Sequence, residues 1–316
     1  MFNSYKNALI RLNRQIEPLT QYYGKSKFFF FFHAFLDHIR YGVTPNQYIG
    51  YRFFAKSPLE KERFYTFRHT KKYEALLNDS EYSCTFWDKP LFNKTFHDFV
   101  HRDWLLCEEG CELSIKKFIE SHKKIIVKPV DLSSGRGIHV YAGDNIDDLI
   151  WQHCLLEEFV NQSLEMNKLN PSSVNTIRIY TILDSKSIPH ILSASLRVGG
   201  KGSDVDNYHS GGVGYPIDVE TGVIKSAGAD IMGIRHLYHP STGVKVIGFE
   251  IPHWKECVEF VQRACFVVPV ARLIAWDVAI LENGFEMIEG NYEGDPGLMQ
   301  APSGEGLLKK IIEFAK

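Results

Sequence analysis

At 316 residues the chain is long enough for two domains or one elaborated pair of lobes, and its 44% hydrophobic and 23% charged residues are ordinary for a globular protein with a sizeable core. The balance of 36 Lys+Arg against 38 Asp+Glu creates no global field toward nucleic acid or an acidic membrane surface, so any anion must be bound by a local site.

Residues 1–80 carry helical periodicity, with Tyr, Phe and Leu recurring at three-to-four spacing and breaks at Gly24, Gly42, Pro45 and Pro58. The apolar run Phe28 to Leu36 is interrupted by His33 and falls far short of the ~20 residues a membrane-spanning helix needs. It reads as the buried flank of a helix, with a peripheral membrane contact as the alternative. Met1 to Leu12 alternates polar and apolar residues rather than forming a secretory segment, and the six cysteines form no CxxC pair; free thiols and a cytoplasmic location are expected.

From about Phe86, helical stretches alternate with short β-rich runs: Lys124 to Pro129, Ile138 to Tyr141, Leu155 to Val160, Thr176 to Leu183 and Ile191 to Val198. A glycine-rich loop, Gly199 to Gly214, follows. A hairpin is expected with strands Tyr215 to Val219 and Val223 to Ala227 around Glu220-Thr221-Gly222, then an amphipathic helix from His253 to Val268. A last hairpin joins Ile274 to Leu281 and Phe285 to Tyr292 around Asn283-Gly284. No internal repeat or low-complexity linker is evident.

Two regions carry chemistry. Lys128 ends a strand and precedes Ser133-Ser134-Gly135-Arg136-Gly137, a loop able to present backbone N–H groups to phosphate oxygens, or equally a plain Ser-Gly turn of a hairpin. It is not a Walker loop, which needs Gly-Lys-Ser/Thr opening a helix. In the last hairpin, Glu289 and Asn291 occupy alternate positions of one strand and so share a face, with Asp277 on the other strand. Oxygen donors so arranged suit a hard cation such as Mg²⁺. A two-residue Asn283-Gly284 turn would set Asp277 opposite Gly290, on the wrong face. A three-residue loop, Glu282-Asn283-Gly284 with a left-handed glycine, sets it opposite Glu289, and this is the expected register. The apolar neighbours Trp276, Val278, Ile280, Met287 and Ile288 make these acids half-buried, and a buried carboxylate needs a partner.

In this order, the elements over roughly residues 86–316 resemble the ATP-grasp superfamily. Trp87-Asp88-Lys89 resembles the start of its small lobe, with Lys89 reaching the α-phosphate and Lys94 the nearby alternative. Lys128 resembles the second phosphate lysine, and Ser133, Ser134, Gly135 and Gly137 the lid over the β- and γ-phosphates. Glu157-Glu158-Phe159-Val160 is similar to the hinge, whose backbone at Glu158 and Val160 would pair with adenine, and Glu165 would take the ribose hydroxyls. Asn175 to Arg178, then Arg197, Asn207 and Gly211-Gly212, resemble the ribosomal-protein glutamate ligase subgroup. Asp277, Glu289 and Asn291, with Gly294 to Gly297 after them, resemble its metal strands and substrate loop. Leu77-Asn78, Pro171 to Thr176, and Ile217-Asp218 with Thr221-Gly222 bring the chain nearest the sugar-transfer-associated ATP-grasp group.

The resemblance implies an α+β, two-lobe ATP-grasp fold, two α+β subdomains with antiparallel sheets, preceded by a helical N-terminal region: residues 1–80, a small lobe over 81–160 and a large lobe with the metal site over 161–316. It implies ATP and one or two Mg²⁺ (or Mn²⁺) as cofactors, and small-molecule acid and amine substrates, sugar-linked by the branch resemblance. The balanced charge implies no nucleic-acid partner. The expected activity is an ATP-dependent carboxylate–amine ligase acting through an acyl phosphate, with Arg197, Arg178 and Lys128 as the catalytic cations. The rivals are a phosphotransferase acting on a sugar hydroxyl and a non-catalytic nucleotide-binding module. Most such ligases carry a Rossmann-like domain that helps form the acceptor site. Here only the helical region stands in its place. Among the histidines, His209 beside Asn207 is the one singled out.

Overall fold

In the computed structural model, which describes residues 2–132, 137–142, 153–200, 206, 208, 211–292 and 294–316 (side chains from residue 12 onward, residue 14 excepted), the expected glycine and proline breaks separate the first helices. These are α1 (Phe2–Tyr23), α2 (Lys27–Tyr41), α3 (Pro45–Gly50), α4 (Pro58–Lys61) and α5 (Phe67–Leu77). Gly42 caps α2 at φ 67°, a left-handed conformation that glycine adopts without Cβ strain. Pro45 and Pro58 open α3 and α4 behind the capping boxes Thr44–Gln47 and Ser57–Glu60. One expectation needs correction. The Phe28 to Leu36 run is helical, but α2 buries Phe30, Ala34 and Tyr41 and leaves Phe28 (76% exposed), Phe32, Phe35 and Leu36 in contact with solvent. Five consecutive phenylalanines wrap around a helix, and a single packed face can take a minority of them.

Next come α6 (Cys84–Trp87) and α7 (Lys89–Thr95), then a four-stranded antiparallel sheet. Its strands are β1 (Trp104–Cys107), β2 (Ile125–Pro129), β3 (His139–Tyr141) and β4 (Cys154–Glu158), ordered β1-β4-β2-β3. Helix α8 (Glu112–Ser121) covers it through Ile115 and Ile119. After α9 (Leu164–Asn167) the chain builds a seven-stranded antiparallel sheet, ordered β11-β10-β5-β6-β7-β8-β9. Its central strands are β5 (Ile177–Leu183), β6 (Pro189–Val198) and β7 (Val213–Ile217), followed by the short β8 (Gly228–Ala229) and β9 (Arg235–His236). Helix α10 (Trp254–Ala264) precedes β10 (Leu273–Leu281) and β11 (Gly284–Asn291), and α11 (Pro296–Gln300) and α12 (Leu308–Phe314) close the chain. The α+β class and the helical N-terminal region are as expected.

Strand alternation sorts the large sheet into two covered faces. Ile177, Ile179, Trp276, Val278 and Ile280 form one core with Phe260 and Val261 of α10 and with Phe86, Phe92 and Phe96 of α6–α7. Tyr180, Ile182, Leu273 and Ala275 face the other way, against Tyr65, Tyr73, Met299 and Ile311. Arg178 and Asp277 belong by alternation to this second face, the one on which the helical region packs.

Two hairpins differ from expectation. Residues 223–227 do not form the return strand for β7; Val223 makes an isolated bridge with Glu250, and β7 pairs with β8 instead. Asp218 explains the diversion: its carboxylate accepts from Thr221 N (2.9 Å) and Thr221 Oγ1 (2.9 Å), closing a tight turn, after which Ile224 N donates to Phe249 O. In the last hairpin the turn has two residues, Glu282-Asn283, with Leu281 opposite Gly284. That phase alone would bring Ile288 opposite Asp277. A β-bulge between Asp277 and Val278 adds one residue to β11, so Val278 faces Met287 while Asp277 faces Glu289. The expected three-residue loop is therefore wrong, and the expected pairing is reached through the bulge.

Candidate functional site

Three strands bring their polar residues to one point. In the register of β5 and β10, Arg178 lies opposite Asp277, and in that of β10 and β11 Asp277 lies opposite Glu289. Arg178 grips Asp277 with two bonds, Nε to Oδ1 at 2.6 Å and Nη2 to Oδ2 at 2.5 Å, and reaches Glu289 Oε1 at 3.5 Å. Arg197 from β6 donates through Nη1 to Asp277 Oδ2 and through Nη2 to Asp206 Oδ1 at 2.6 Å. Asp277 is 2% exposed. Burial raises its pKa, but the two guanidinium charges outweigh burial and hold the carboxyl well below the usual carboxylate range. Glu289 differs. Half of its side chain is exposed, and desolvation of the carboxylate by its surroundings, together with the Asp277 charge, raises its pKa.

This geometry tests whether the donor set fits a hard cation. A carboxylate offers about four lone-pair sites, and three at Asp277 are occupied by guanidinium N–H groups. Glu289 is the less committed carboxylate, with only long contacts at Oε1 from Arg178 (3.5 Å) and Asn291 (3.3 Å) and a hydrogen-bonding contact with Asp277. Asn291 donates through Nδ2 to Ala275 O and Glu289 Oε1, both at 3.3 Å, which leaves Oδ1 as its acceptor. The donor chemistry of this set suits Mg²⁺: Glu289 and Asn291 Oδ1 are the less committed oxygens, and Asp277 has one lone-pair site not taken by a guanidinium.

The lysines come from α7 and from β2 of the four-stranded sheet. Lys89, the first residue of α7 behind the Asp88 cap, donates Nζ to the carbonyls of Pro129 (3.1 Å), Val130 (3.1 Å) and Leu132 (2.8 Å). It is therefore held beside the strand end that carries Lys128. Burial, and then the Lys128 charge, lower its pKa, while Glu289 and Glu157 oppose the shift. Lys128 itself is ion-paired with Glu157. Lys94 lies exposed in the last turn of α7.

Glu157, expected within the nucleotide hinge, is 2% exposed and faces inward, where it meets Lys128, Arg102 Nη2 (2.8 Å) and Asn93 Nδ2 (3.0 Å). Its backbone neighbour Glu158 donates N–H to Asp103 O at 2.8 Å, and Phe159 N donates to Lys124 O at 3.2 Å, with the Lys124 ammonium 3.5 Å from the Phe159 ring centre. Val160 is buried, and Glu165 is exposed in the first turn of α9. Gly137 has φ 69°. Ser133, Ser134, Gly135, Asn207 and His209 lie outside the described residues.

Sequence reasoning missed Arg102, Glu286 and Asp206. Arg102, 3% exposed in its side chain, joins the two sheets: it bonds Glu157 on β4, and on β11 Glu286 Oε1 (2.6 Å), Met287 O (2.7 Å) and Ile288 O (3.2 Å). Asp206 accepts from Thr176 N at 2.9 Å and from Arg197, so it braces the arginine from behind. An isolated charge in a loop carries no periodic signal. Asp206 stands two residues before Tyr208 in the glycine-rich loop, and nothing local in the sequence distinguishes it from Asp204.

The model of the sugar-transfer associated ATP-grasp family matches residues 151–316. No match is found among curated proteins. Among solved structures the chain is similar to the ATP-grasp ligase PsnB complexed with a precursor variant, Mg and ADP (14% identity, 76% of this chain, 62% of that chain, TM-score 0.46). It is also similar to D-alanine–D-alanine ligase from Helicobacter pylori (14%, 74% and 59%, TM-score 0.44) and to biotin carboxylase from Campylobacter jejuni (12%, 73% and 46%, TM-score 0.47). The chain thus spans less than two thirds of the length of each of these proteins.

Proposed function

The chain belongs to the sugar-transfer associated ATP-grasp family, and from that premise we propose that it is an ATP-dependent, ADP-forming carboxylate–amine ligase that modifies a cell-surface polysaccharide or a sugar-nucleotide precursor. The observation that carries this reading is the pair of cationic groups, Lys89 of α7 beside the Lys128 strand end and Arg178 with Arg197 around Asp277, with the Glu289 charge near enough to Lys89 to oppose the lowering of its pKa. The family's description supports the sugar context.

In the proposed reaction a substrate carboxylate oxygen attacks the γ-phosphorus of ATP. The bond to the bridging oxygen breaks and its electron pair leaves with ADP. An amine then attacks the acyl carbon, inorganic phosphate departs, and the amine loses a proton as the amide forms. Lys89 and Lys128 bind phosphate oxygens, and Arg178 and Arg197, held rigid by Asp277 and Asp206, present N–H groups to the charge that builds in the transition state. Mg²⁺ bound by Glu289, Asn291 and Asp277 would supply further neutralisation of phosphate charge. The segment Glu158 to Val160 would hold adenine, Glu165 the ribose and residues 133–137 the terminal phosphates. The division into residues 1–80, 81–160 and 161–316, and a cytoplasmic setting, belong to the same proposal.

ADP release is to be measured across uronic acids, sugar nucleotides and amino acids, with product masses. Release that depends on both an acid and an amine, and a hydroxamate when hydroxylamine replaces the amine, are the expected results. Phosphate appearing on a sugar hydroxyl would establish the phosphotransferase reading instead.

A further inference from the structure

A cavity of about 390 Å³ opens between the helical region and the segment that follows the Asn291 strand. Its size falls within the range of small-molecule sites. One wall is a single stripe of α5: Phe67, Thr70, Lys71 and Glu74 follow at helical spacing, all lining the cavity. The opposite wall includes Tyr208 and Asp295. The two walls are fixed to one another. Gln300, fully buried, accepts from Tyr65 N (2.9 Å) and Leu307 N (2.9 Å) and donates to Tyr51 Oη (2.9 Å) and Tyr65 O (2.8 Å), while Tyr51 Oη donates to Pro296 O at 2.7 Å. The cavity is tied to the strand that carries Arg178 through one hydrogen bond of its lining. Asp295 O accepts from Tyr180 Oη at 2.7 Å, and Tyr180 is the next residue after Arg178 on the same face of β5.

We propose that this cavity is the acceptor-substrate site, that the helical region supplies half of it, and that its ligand is a carboxylate-bearing sugar; the inference rests on the ligase reading above. Among the described residues Lys71 is the one cation in the lining. It stands 5.9 Å from the Phe67 ring centre with no ion pair among the described residues, so a single anionic group on the ligand has a counter-charge there. Glu74 and Asp295 would repel a second anion but accept from hydroxyl donors. The rings of Phe67 and Tyr208 offer flat apolar surface to the C–H face of a sugar ring. One negative group, several hydroxyls and an apolar ring face together describe a sugar acid.

The test is saturation-transfer NMR on the full chain with D-glucuronate, D-glucosamine and glucose 6-phosphate as probes, beside ATP titration by calorimetry with Mg²⁺. Glucuronate is expected to bind the wild type, and its signal to fall at least ~5-fold in Phe67→Ala and in Lys71→Ala. Phe67 is 48% exposed and Lys71 lies on the surface, so both variants keep their fold, and ATP affinity should stay within ~2-fold. Absence of glucuronate binding to a wild type that binds ATP, equal signals in the variants, or preference for glucosamine or glucose 6-phosphate overturns the inference. Failure of the wild type to bind ATP instead rejects the ligase reading, whatever the sugar signals do.

Discussion

Arg102→Met is the most revealing perturbation of the fold around the site. Arg102 is buried and makes close contacts with two carboxylates and two carbonyls from different sheets. Methionine fills most of the volume, so the cavity contribution is small and the loss is electrostatic. Removing one partner of a buried ion pair costs about 3–5 kcal/mol. The lower end applies here, because Glu157 keeps Lys128 and Asn93, and Glu286 keeps the His101 backbone N–H at 3.0 Å. A loss of about 3 kcal/mol corresponds to roughly 4–5 °C in melting temperature for a cooperative unit of 316 residues. The pH dependence has a definite sign. Burial raises the Glu157 pKa, but Arg102 and Lys128 outweigh it and hold the folded value well below the ordinary one. The stability this contributes is complete above the unfolded carboxylate pKa of about 4.3 and drains away as pH falls toward the folded value. The variant has a higher folded pKa, so its deficit should shrink on acidification below about pH 4. Urea unfolding at pH 7 and at acid pH measures both effects. A deficit under about 1 kcal/mol at pH 7, or one that grows in acid, would refute the reasoning.

Lys128→Ala should weaken ATP binding by about 10–100-fold, the scale of one charge-assisted hydrogen bond; unchanged affinity in calorimetry removes it from the phosphate site. Glu289→Gln should lower kcat by about 100-fold or more and raise the Mg²⁺ requirement, with ATP affinity changed little, and a fully active variant would dismiss the hairpin as a metal site. Gln300→Leu strands the Tyr65 N–H and the Leu307 N–H in a dry interior. It should cost about 2–4 kcal/mol in denaturant unfolding, and a neutral result would mean that the helical region is not fastened there.

Local signals read well where the chemistry is local. Gly24, Gly42, Pro45 and Pro58 each punctuate helices because positive φ and a missing N–H act within a single turn. Strands β2, β5, β6, β10 and β11 were legible within a residue or two from β-branched and aromatic runs. The second strand of the Glu220-Thr221-Gly222 hairpin was not, since residues 223–227 are drawn toward the segment ending at Glu250 rather than back along β7. In α2, a run of phenylalanines announces burial on every side, while the number of packing partners determines how many are covered.

The sequence by itself determined the order of elements, the family resemblance, the two lysines and the acidic hairpin, because propensity, turn chemistry and residue type are properties of a few neighbouring residues. Only the tertiary structure decided that a bulge, not a longer loop, sets Asp277 opposite Glu289. It alone showed that Asp277 is largely committed to Arg178 and Arg197, that Arg102 joins the sheets, and that the helical region and the Asp295–Gly297 segment enclose a cavity. Each depends on charges brought together from positions tens to hundreds of residues apart, where the cost of leaving a buried charge unpaired, rather than any local preference, selects the arrangement.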